Sequence, residues 1–67
     1  MSVNRWLLTV HWDYIPKTTY LFVHLRAALE GAAEVKQSHP DLRINLVRKE
    51  LTLEQCEDVL STGNLPT

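Results

Sequence analysis

Glycine is almost missing from this chain: Gly31 and Gly63 are the only two in 67 residues. A phosphate-cradling loop needs several glycines so that the backbone can approach the anion, and none can be built here. Cysteine is scarcer still. Cys56 stands alone, which excludes an internal disulfide and the stapled architecture of many small secreted domains. No uninterrupted apolar run approaches the roughly 20 residues of a membrane span. The N-terminal segment also lacks the long apolar stretch of a signal peptide, because Thr9, His11 and Asp13 interrupt it. A cytoplasmic location is therefore expected. Charge of one sign is missing too: seven Lys+Arg face eight Asp+Glu, for a net charge of −1. Net charge alone thus gives no pull toward polyanions.

Hydrophobic residues make up 45% of the chain and charged residues 22%, the composition of a folded domain rather than a disordered one. The length allows one domain over 1–67, with 63–67 as a short tail. A domain this small buries only about 60% of the surface its unfolded chain exposes. Such scaffolds commonly recruit a disulfide, a metal or a second subunit.

Residues 5–12 read as a strand, with Trp6, Leu8, Val10 and Trp12 on one face and Leu7, Thr9, His11 and then Asp13 on a more polar one. That alternation predicts a sheet covered on one side only. Pro16 marks a break, and Thr18 or Thr19 is a suitable N-cap. A long helix is expected from about Tyr20 to Gln37, on a stripe of Leu21, Phe22, Leu25, Ala28, Leu29, Ala32 and Val35. The competing reading for residues 18–25 is a strand in a hairpin with residues 5–12, since Thr18-Thr19-Tyr20-Leu21-Phe22-Val23-His24-Leu25 is rich in β-branched and aromatic types. Residues 42–47 alternate and read as a second strand. Thr52 and Gln55 make a capping box for a short helix striped by Leu53, Cys56, Val59 and Leu60. Gly63 stands where a left-handed cap is wanted.

The expected fold is therefore α+β: a small two-layer β-α-β-α domain with two strands, a long helix and a short C-terminal helix. A strand, a crossover helix and a second strand favour a parallel pair. Two strands barely support themselves, so the sheet is expected to be completed by dimerisation.

Little in the chain carries chemistry. His11, His24, His39 and Cys56 are the possible metal ligands, but none lies within the close spacing of a zinc pair. A reactive thiol wants electropositive surroundings, whereas Glu54, Glu57 and Asp58 crowd Cys56 with negative charge. No active-site constellation can be assembled, so no enzyme, cofactor or metal is expected. Residues 51–67 resemble the first helix and turn of helix-turn-helix modules, through a threonine cap, an acidic helix, a leucine pair and a glycine turn. No second helix follows to enter a groove, and a docking helix with a polar outer face is the preferred reading. Arg43, Arg48 and Lys49 cluster near the second strand and could form a charged rim or a nucleic-acid contact.

On the long helix, Tyr20, Val23, Ala27 and Gly31 fall roughly opposite the main stripe. A helix apolar nearly all round must be covered on more than one side. These four residues are the expected protein interface. The expected function is a non-catalytic interaction module that acts by binding another protein. The size class includes adaptors, antitoxin-like partners and inhibitors, some of phages and mobile elements. A dimeric nucleic-acid-binding regulator is the alternative.

Overall fold

A computed structural model describes residues 1–64 of the chain. Residues 65–67 of the expected tail lie outside the described residues. Five elements follow one another: β1 (Ser2–His11), β2 (Thr18–Phe22), α1 (Leu25–Ser38), β3 (Arg43–Thr52) and α2 (Leu53–Thr62). The α+β class is as expected. The sheet, however, has three strands in the order β2-β1-β3, not two.

The third strand comes from the segment expected to open the long helix. Thr18–Phe22 is β2, paired antiparallel with β1 from Trp6↔Phe22 to Val10↔Thr18, so the hairpin alternative holds. Its β-branched and aromatic side chains fit a pleated, half-buried surface, and the Thr9 and Thr19 hydroxyls bond across the pair at 3.2 Å. The helical stripe fails at Leu21 for a steric reason. In a strand, Leu21 faces the opposite side of the sheet from Tyr20 and Phe22, and it packs beside Leu7, Leu51 and Cys56. Helix α1 begins only at Leu25, with His24 rather than Thr18 or Thr19 at the N-cap and no side-chain cap bond.

The parallel pair is also corrected. β3 runs antiparallel to β1 along its whole length, Ser2↔Thr52 to His11↔Arg43, and at ten residues it is longer than the 42–47 expected. The extra strand β2 reverses the chain before α1 starts. The helix then returns it to the His11 end of β1, and β3 leaves in the opposite direction.

Each sheet face packs one helix. Leu8 and Val10 are buried with Leu42, against Phe22, Ala32 and Val35, which places α1 on that side. Leu7 and Leu51 are buried with Cys56 of α2. Successive residues of a strand point to opposite faces, so the layers are helix, sheet and helix rather than two. The expectation of a sheet covered on one side only is overturned by Leu7, which is 2% exposed.

The helices turn inward differently from their sequence stripes. In α1 only Ala28 is fully buried, with Gly31, Ala32 and Val35 half-buried beside it. Leu25 and Leu29, both in the expected stripe, are exposed. A Cβ on Gly31 would stand 3.0 Å from the Phe22 ring and 3.7 Å from Leu8. The small residue is thus what lets the helix approach its own sheet, a role no helical wheel displays. In α2, Cys56 and Val59 are buried while Leu53 and Leu60 are exposed.

The capping box forms as expected. The Gln55 amide donates to the Thr52 hydroxyl at 3.1 Å, and the Thr52 amide donates to the Gln55 side-chain oxygen at 2.9 Å. Two otherwise orphaned donors are satisfied. Thr52→Ala is expected to lower stability by about 1 kcal/mol, read as a shift in urea midpoint; a shift under about 0.3 kcal/mol would show the box to be idle.

Candidate protein-docking site

The strand β2, at five residues, is shorter than β1 and β3, and apolar surface collects beside it. A groove of 380 Å³ lies between β2 and α1. Its floor and walls include Leu8, Phe22, Gly31 and Val35, with Tyr20 and Ala27 at its margins and the Glu30 and Glu34 carboxylates on its helix side. Glycine at 31 and alanine at 27 keep the helix wall low, because neither carries a side chain large enough to fill the space. Glu30 shares its charge with Arg26 at 3.6 Å, an exposed pair one helical turn apart. Such a pair holds its members only weakly.

A second groove, of 330 Å³, opens on the other side of β2. Val59, Leu60 and Gly63 of α2 line it together with Tyr20, Leu21 and Phe22. Tyr20 is therefore a ridge shared by both hollows. It is 41% exposed, and Val23 and Leu60 near it are 55% and 71% exposed. The outer edge of β2 is stopped at one point, where the Thr19 amide donates to the Gly63 carbonyl. Gly63 can serve there because it adopts the left-handed conformation at φ 72°.

Three of the four residues expected at a protein interface, Tyr20, Ala27 and Gly31, thus line one groove. The structure changes how they come together. Tyr20 reaches the groove from a strand and the other two from a helix, so they do not form the second face of a single helix. Val23 sits in the turn between β2 and α1, exposed and outside the lining. The sequence reading missed Phe22, Glu30 and Glu34 as groove residues. The pair Glu30 and Glu34, one turn apart and flanking Gly31, was the available signal.

The charged cluster is divided. Arg43 and Lys49 point to the α2 side of the sheet, while Arg48 points to the α1 side, opposite Trp6. The four candidate metal ligands are scattered. His11 ends β1, His24 caps α1, Cys56 is buried under α2, and His39 packs edge-on against Trp12 with ring centroids 5.6 Å apart. Among the described residues no three His, Cys, Asp or Glu side chains converge as a metal would require. Among the same residues no helix is long and apolar enough to cross a membrane. Comparison with family models, curated proteins and solved structures gives no match for this chain.

Proposed function

We propose that this chain is a non-catalytic protein-interaction module, an adaptor or an inhibitor, that docks a partner segment in the groove between β2 and α1. One observation carries the reading. An apolar hollow bounded by an exposed tyrosine also carries two carboxylates on its rim. Exposed tyrosine beside a pocket is the kind of anchor on which binding energy concentrates. The rim selects the partner's charge: a large apolar side chain fills the hollow while a flanking Lys or Arg meets Glu30 or Glu34. Chance exposure of single apolar residues needs no function, but here Tyr20, Ala27 and Gly31 are contiguous across two elements.

Self-association has weaker support. The expected dimer rested on a two-stranded sheet, and β2 supplies the third strand within one chain. The open edge of β3 carries Arg43, Arg48, Lys49 and Glu50, and charges of this kind discourage edge-to-edge pairing.

The docking reading is tested with two synthetic peptides, one alternating Leu or Phe with Lys and the other with Glu in place of Lys. Titration calorimetry is expected to show the basic peptide binding at least about tenfold more tightly. Tyr20→Asp should then weaken it by about tenfold or more. Leu53→Asp, at an exposed position on the other helix, should leave it unchanged. Equal binding of both peptides, or indifference to Tyr20→Asp, overturns the proposal.

A further inference from the structure

The side of the sheet that packs α2 is only partly covered. Helix α2 lies over Val3, Leu7, Leu21 and Leu51, and the β1–β3 strip beside it is left bare. Along that strip the register sets two cations, Arg5 and Lys49, directly opposite each other, and it places Arg43 opposite His11. Cross-strand like charges oppose folding, and no Asp or Glu of the two strands points to this face. The two basic rungs stand six residues apart, roughly 20 Å along the strands.

Between them lies a hollow of 230 Å³. Leu7 and Val47 give it an apolar floor, Thr9 and Asn45 supply hydrogen-bonding groups, and Lys17 and Lys49 stand at its margins. Four of the chain's seven Lys and Arg residues, namely Arg5, Lys17, Arg43 and Lys49, thus flank one surface. The acidic residues of α2, Glu54, Glu57 and Asp58, are exposed and fall on the helix side away from buried Cys56 and Val59. Local charge on the strip is therefore positive although the net charge is −1.

We propose that this strip binds single-stranded nucleic acid, with phosphates at the two rungs and a base lying over Val47 between them. Charge complementarity selects a polyanion, and the alternation of cations with an apolar, hydrogen-bonding floor selects one that presents bases. The flat surface has no helix or ribbon to enter the major groove of a duplex. The strip faces away from the β2–α1 groove and rests on no part of the docking proposal.

The test uses the full chain and a fluorescein-labelled oligothymidylate of about 12 nucleotides, read by anisotropy at about 25 mM salt. Binding is expected to fall on a log–log salt plot with a slope of about −2, corresponding to about three phosphates. Lys49→Glu should weaken binding at least about tenfold, and Arg48→Glu by less than about twofold. These neighbours change net charge equally but face opposite sides of the sheet. Lys49→Glu also places a carboxylate opposite Arg5, so the variant is expected to melt no lower than the parent. Equal loss in the two variants, no binding at low salt, or equal binding of duplex DNA or of vesicles containing phosphatidylserine would overturn the assignment.

Discussion

Leu8→Ala is expected to remove about 3 kcal/mol of stability, measured by urea unfolding at 25 °C. Leu8 is 1% exposed, in the central strand, and packs with Val10, Leu42 and Phe22 below α1. Truncation takes away its transfer energy and leaves a cavity that α1 cannot fill, since the facing residues include Gly31 and Ala32. A chain of this length has only about 3–10 kcal/mol in total, so the variant should lie near the edge of folding. Leu29→Ala is the informative control. Leu29 belongs to the apolar stripe expected from sequence but is 52% exposed, so its loss should cost less than about 0.5 kcal/mol. Comparable losses for both variants would mean that α1 presents a different face to the sheet.

The second large effect is expected at Gly63. Its φ of 72° is left-handed, its amide donates to the Val59 carbonyl, and its own carbonyl receives the Thr19 amide. An L-residue with a Cβ pays about 1–2 kcal/mol in that conformation. The Cβ would also stand 3.3 Å from Thr18 Cγ2, so it presses on the strand that the same residue anchors. Gly63→Ala should therefore lower stability by about 1–2 kcal/mol, and Gly63→Asn by less, because Asn tolerates the left-handed region. A thermal melt of the two variants beside the parent checks the order. Alanine equal to or better than asparagine would show that the cap geometry is not under this constraint.

The parts of the fold legible in the sequence were those set by short-range chemistry. Thr52 and Gln55 announce the capping box, Gly63 announces its own left-handed cap, and the Trp6–Trp12 alternation announces β1. The segment 18–22 was ambiguous because Leu21 and Phe22 satisfy a helical stripe and a pleated strand equally well over so few residues. Only pairing with β1 decides between them, and that pairing is a tertiary fact. The missed strand then carried the other errors with it: strand direction, the number of layers, and the face of α1 that is buried.

The candidate site shows the same division. Tyr20, Ala27 and Gly31 stood out as apolar or small residues with no partner in a helical projection, and they do share a groove. The reason for their proximity was different. Gly31 is small to admit Phe22 of the same chain, whereas the projection offered a partner's backbone as the cause. Arg43, Arg48 and Lys49 looked like one cluster because they are close in sequence. A period of two separates Arg48 from the others, and the basic strip instead draws Arg5 and Lys17 from distant segments.

The docking claim is tested most directly by amide chemical-shift mapping of the isotope-labelled chain, titrated with the basic apolar peptide. Shifts are expected to concentrate on the groove lining, Tyr20, Phe22, Ala27, Glu30, Gly31 and Glu34 among it, with Asn45, Val47 and Lys49 of the opposite face unmoved. Shifts concentrated on β3, or spread evenly over the surface, would contradict it.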